Sequence, residues 1–60
     1  MSKSGYYVRH DHGKSEHFQL DVDAKRWAMR QSELLTGYFH VFRAFNETCI
    51  ATYRNGNFEQ

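Results

Sequence analysis

The sequence predicts a small α+β fold, a single antiparallel sheet with one helix packed on one face, in the order β-β-α-β-β. Three observations predict it. Residues 16–20 alternate apolar and polar, residues 22–35 repeat apolar side chains at helical spacing, and residues 38–53 hold two aromatic or β-branched runs split by a polar turn. Sixty residues suffice for one domain. Residues 1–5 (Met1, Ser2, Lys3, Ser4, Gly5) read as a flexible tail and residues 6–60 as the folded unit.

Each element follows from local chemistry. Tyr6 to His10 is rich in aromatic and β-branched types, which suit a strand. Asp11, His12, Gly13, Lys14 and Ser15 make a polar, glycine-containing turn. Glu16 to Leu20 returns as a second strand, with Phe18 and Leu20 on one face and His17 and Gln19 on the other. A helix follows from Val22 to Leu35, with Asp21 as the capping carboxylate and Asp23 adding charge near the positive end of the dipole. Ala24, Trp27, Ala28, Gln31, Leu34 and Leu35 form its inner face; Lys25, Arg26, Met29, Arg30, Ser32 and Glu33 face outward. Thr36–Gly37 ends it, because glycine accepts the left-handed conformation after a helix.

Tyr38 to Phe45 reads as a central strand with apolar residues on both faces: Phe39, Val41 and Phe45 on one, Tyr38, His40, Phe42 and Ala44 on the other. Cys49 to Tyr53 returns after the turn at Asn46, Glu47 and Thr48, and Asn55–Gly56 is a strong hairpin-turn signal. Phe58 is expected to close over the core.

Composition narrows the function classes. A chain this short buries only ~60% of the surface it exposes when unfolded, so its core is small. One Trp, four Tyr and five Phe offset this, since each ring can bury ~150–250 Å². Cys49 stands alone, which excludes an intramolecular disulfide and a cysteine-rich zinc site. Eight Lys and Arg against seven Asp and Glu give a net charge of +1, modest for a duplex-binding domain and of the wrong sign for an acidic DNA mimic. No run approaches the ~20 apolar residues of a membrane span. The polar start lacks the apolar core of a signal peptide, so a reducing, cytoplasmic setting is expected.

Four side-chain groups are candidates for chemistry. His10, His12 and His17 cluster near the first turn with Asp11 and Glu16, and a hairpin bringing His10 to His17 would suggest zinc; the spacing matches no closed motif, so a solvated turn with no metal and no cofactor is expected. Cys49 with His40 across a hairpin would be a nucleophile and base, but free cysteine is more often a packing residue. No catalytic residues are assigned, and the chain reads as a non-enzyme. Lys25, Arg26 and Arg30, joined by Arg9, Arg43 or Arg54, offer a strip for nucleic acid, with Tyr6 or Tyr7 stacking on bases; the alternative is a solvated face with Arg26 or Arg30 paired to Glu33. Met29 beside Arg26 and Arg30 suits a protein contact. One helix covers one side of a sheet, so Tyr38, His40, Phe42 and Tyr53 are expected to line the free side, for a host protein partner or for a homodimer.

The stretch from Asp23 to Gly56, with Ala24-Lys25-Arg26, Trp27-Ala28-x-x-Gln31 and Arg54-Asn55-Gly56, resembles two families of small phage host-defence inhibitors. These are the Dmd-type phage antitoxins and the small type I-F anti-CRISPR proteins of sheet-plus-helix build. The resemblance covers a little over half the chain and leaves out the first twenty residues. It implies a phage or mobile-element inhibitor that blocks a toxin or CRISPR effector by stoichiometric binding in the host cytoplasm. The alternative is a nucleic-acid-binding regulator using the basic helix face.

Overall fold

In the computed structural model, residues 4–11, 13 and 15–59 are described. Strand β1 (Tyr6–His10) and β2 (Ser15–Phe18) form the expected hairpin, followed by helix α1 (Asp21–Leu34), β3 (Phe39–Arg43), β4 (Thr48–Arg54) and β5 (Asn57–Phe58). The strands make one antiparallel sheet in the order β2-β1-β3-β4-β5, with β3 at its centre. The fold class is the one expected from sequence; β5 is an addition. It forms because Asn55 and Gly56 both take positive φ (54° and 79°), the geometry of a tight two-residue hairpin turn.

The helix of 14 residues is ~21 Å long and crosses the whole sheet, touching all five strands. Its seat is made of small residues one turn apart: Ala24, Ala28 and Ser32 are all buried. Small side chains let the helix backbone come close to Val8, Phe39, Val41, Ala51 and Tyr53, which form the core with them. Trp27 fills the edge, its ring 5.6 Å from Phe18 and 6.2 Å from Phe39 in an edge-on contact.

Several expectations are corrected. Ser32, assigned outward, lies at the i+4 step from Ala28 and is therefore inside, while Leu34 is 70% exposed and Leu35 is also exposed. The helix begins one residue earlier than expected, so Asp21 is its first residue rather than its cap. Leu20 holds the cap position without a side-chain cap bond. Asp21 instead pairs with Lys25 one turn on, at 3.7 Å, and no Arg26 or Arg30 pairing with Glu33 occurs among the described residues. Of the expected tail, residues 1–3 lie outside the described residues; at Ser4 and Gly5 the Ala44 N–H donates to the Gly5 carbonyl and His17 Nε2 to the Ser4 carbonyl. Phe45 is exposed in the turn after β3, and Phe58 is 61% exposed beside Tyr53 rather than closed over the core. Leu20, expected on the Phe18 face, is exposed.

Two polar residues tie the layers together. The Ser32 hydroxyl donates to the Met29 carbonyl at 2.7 Å and accepts the Gly56 N–H at 2.9 Å, fastening the last hairpin to the helix. His10 continues the inward alternation of Tyr6 and Val8. Its ring stacks on Phe39 at 4.1 Å and its Nε2–H donates to the Thr36 carbonyl at 2.8 Å, holding the loop that follows the helix. Ser32→Ala leaves the Gly56 N–H without its acceptor, so urea unfolding is expected to show a loss of ~1–3 kcal/mol. A change under ~0.5 kcal/mol, the size of an ordinary surface substitution, contradicts that role.

Candidate functional site

Antiparallel partners share a face, so the strand register defines what the uncovered side of the sheet presents. The alternation that sends Val8, His10, Phe39, Val41, Ala51 and Tyr53 to the helix sends their neighbours to the other side. Three rows result. The first is His17, Tyr7, Phe42 and Cys49; the second is Ser15, Arg9, His40 and Thr52. The third is Asp11, Tyr38, Arg54 and Asn57, joined by the Asp11 N–H to Tyr38 carbonyl bond, the Arg54 bond to the Tyr38 hydroxyl and the Arg54–Asn57 pairing.

Tyr38, His40 and Phe42 thus lie on the uncovered face, as expected. Tyr53 does not. It pairs with Phe39, so it turns inward, is only 5% exposed, and burial pushes its phenol above the ordinary pKa. Tyr7 takes its place, its ring stacked against Phe42 with centroids 5.1 Å apart. The signal was in the sequence, because Tyr7 alternates with Val8, but two adjacent tyrosines left the face of each open. A bulge in β4 also matters. Val41 pairs with Ala51 but Phe42 with Cys49, so Ile50 is an extra residue packed toward the core. The bulge brings Cys49 to the uncovered side, where it is exposed rather than a packing residue.

Tyr38, just before β3, and the outward rings of β3 form a continuous line: Tyr38 to His40 at 6.1 Å and His40 to Phe42 at 6.2 Å. A chain of polar contacts fixes its middle. Asp11 Oδ2 accepts the Tyr38 N–H at 3.0 Å, Asp11 Oδ1 meets His40 Nε2 at 3.2 Å, and His40 Nδ1 meets the Thr52 hydroxyl at 3.2 Å. With a neutral imidazole, Nε2–H donates to the carboxylate and Nδ1 accepts the Thr52 proton. Cys49 Sγ lies 3.6 Å from the same hydroxyl, so Thr52 stands between the cysteine and the histidine that sequence reasoning paired directly. Asp, His and hydroxyl in this order are the elements of an activated nucleophile. Here they lie on an exposed sheet surface, where the contacts hold the His40 ring between Asp11 and Thr52. At the other end of the line, Arg54 donates to the Tyr38 hydroxyl at 2.8 Å with its guanidinium carbon 5.3 Å from that ring's centroid.

The remaining sequence candidates scatter. His10 is in the core and His17 on the opposite side of the sheet, so the hairpin does not bring them together; His12 lies outside the described residues. Among the described residues no group of three or more His, Cys, Asp or Glu side chains is placed to hold a metal ion. Arg43 ends β3 opposite Tyr6 and Thr48, on the covered side, while Arg9 and Arg54 are on the uncovered side, so neither of these two extends the helix strip. That strip is real on the helix itself. Arg26 and Arg30 are exposed, Met29 is 42% exposed and Val22, which sequence reasoning did not single out, 49%. Arg26 separates two shallow depressions: one of about 360 Å³ against Phe18, Trp27 and Arg30, another of about 480 Å³ against Val22, Lys25 and Met29. Among the described residues no helix is long and apolar enough to cross a membrane.

No family model, curated protein or solved structure matches this chain.

The Tyr38 N–H, and secondarily His40, hold the Asp11 carboxyl below its ordinary pKa. A carboxylate with a depressed folded pKa contributes stability above its unfolded pKa, and the contribution is lost as pH falls through the folded value. In acid titrations below about pH 4, Asp11→Asn is therefore expected to unfold with a shallower pH dependence than the parent chain. Superimposable acid limbs contradict this.

Proposed function

We propose that this chain is a non-enzymatic binding protein that acts by stoichiometric occupancy of a host protein through the outer face of α1. The form implied by its resemblance to phage inhibitors is a phage or mobile-element product that blocks a toxin or CRISPR effector in the host cytoplasm. The supporting observation is the helix strip. Val22 and Met29 are large apolar side chains half in water, set among Lys25, Arg26 and Arg30, with a depression on either side of Arg26. Interface anchors are enriched in Arg and Met, and most of their energy comes from a few side chains that fill pockets. The acids Asp21 and Asp23 lie on the same helix and give the strip charges of both signs. That mixture fits a protein surface better than a phosphate backbone, which repels carboxylates. Such a protein needs a rigid ridge and no reacting group.

The tagged full chain, passed over host lysate, is expected to retain one protein at equal stoichiometry and to suppress that protein's nuclease or toxin activity in proportion to occupancy. Arg26→Glu with Met29→Glu is expected to weaken capture by more than about tenfold, ~1.4 kcal/mol, without changing thermal stability. Equal capture by parent and variant contradicts the proposal, as does a partner whose activity continues when saturated.

A further inference from the structure

We propose that the uncovered sheet face is a second binding surface, for single-stranded nucleic acid. Bases would lie against Tyr7, Phe42 and Tyr38, and phosphates would meet Arg9 and Arg54. Charge is the first half of the match. In the three rows the cations are Arg9 and Arg54. The only carboxylate is Asp11, and both of its oxygens are engaged, one by the Tyr38 N–H and one by His40. The rings supply the second half. Tyr7 and Phe42 form a stacked pair across the two central strands, and Tyr38 continues the line through His40. Rings interleaved with guanidinium groups are what a flexible polyanion with exposed bases requires, because stacking is tolerant of sequence and the cations follow the backbone. An acidic protein segment would use the arginines and leave the ring line to chance. A duplex hides its base faces and has no use for it.

A depression of about 770 Å³ is lined by Tyr7, Arg9, Ser15, Glu16, His17 and Glu47. The two glutamates disfavour phosphate at that end, so the backbone would run from Arg9 toward Arg54.

The test uses the full chain and labelled uridine and thymidine octamers, read by fluorescence anisotropy over a salt series. Trp27 fluorescence, on the covered side, confirms that each variant is folded. Both octamers are expected to bind. Arg9→Ala and Arg54→Ala should each reduce the slope of log affinity against log salt by about 0.7, one phosphate contact in a single strand. Phe42→Thr and Tyr7→Thr should each weaken binding about tenfold with the slope unchanged, because stacking releases no counterions. Glu47→Lys should tighten it. The helix variant Arg26→Glu with Met29→Glu should bind the octamers as the parent does, so failure here and failure of the protein-partner reading are separable. The proposal is overturned if neither octamer binds, if poly-L-glutamate displaces them at equal charge concentration, if a duplex of the same length binds as tightly, or if the ring variants retain full affinity.

Discussion

One helix must serve a sheet that has two faces, and the rest of the molecule follows from that shortage. The helix comes close because Ala24, Ala28 and Ser32 occupy its inner line. This brings Val8, Phe39, Val41, Ala51 and Tyr53 out of water on one side only. Each such side chain contributes ~1.5–3 kcal/mol at most when fully buried, against a backbone cost of ~1–2 kcal/mol for every residue ordered. A core this small leaves a narrow margin. Polar ties at the edges therefore matter more here than in a larger domain. Ser32 fastens the β4–β5 turn, His10 fastens the loop leaving the helix, and Asp11 fastens the start of β3. All three act where an element ends and the apolar contacts thin out.

The same shortage explains why the uncovered side looks as it does. An aromatic sheet face left bare invites aggregation, and here its rings are held against one another and separated by hydrogen-bonding groups. Arg9, His40 and Thr52 fill the row between Tyr7–Phe42 and Tyr38. The edges are managed too: β2 is a short, polar-rich strand, Ser-Glu-His-Phe, and β5 spans only Asn57–Phe58, both features that discourage edge-to-edge pairing. The protein thus has two unlike outer surfaces on opposite sides of one thin layer. The helix side mixes apolar residues with charges of both signs; the sheet side combines rings with Arg9, Arg54 and Asp11, and Glu16 and Glu47 line the depression at its Arg9 end.

Most of the architecture was legible in the sequence because it depends on local periodicity. The helix, the hairpin turns, the central position of β3 and the inward Phe39 and Val41 all follow from spacing and turn chemistry. What was not legible depends on register. Tyr53 was placed outside because its own strand is amphipathic on both faces; only its pairing with Phe39 decides the matter. Ile50 and Cys49 exchange roles through a bulge that composition does not announce. Ser32 was assigned outward because serine is polar, although the i+4 step from Ala28 points inward. Its hydroxyl is tolerated there because Met29 and Gly56 satisfy it. His10 was grouped with a polar turn, although alternation with Tyr6 and Val8 already pointed it at the core. For the candidate surfaces, Arg26, Met29, Arg30, Tyr38, His40 and Phe42 were found by face counting. Tyr7, Arg9 and Arg54 joined the sheet surface only through cross-strand pairing.

In the free protein the sheet has one dry side and one wet side. Nuclear magnetic resonance with a soluble gadolinium chelate measures this directly, residue by residue. Signals from Tyr7, His40, Phe42 and Cys49 should relax strongly on adding the chelate, while those from Val8, Phe39, Val41 and Ala51 stay protected. Equal protection of both sets, at concentrations where the chain is otherwise monomeric, would mean that the second face is covered, and that neither its proposed ligand nor its geometry is as described.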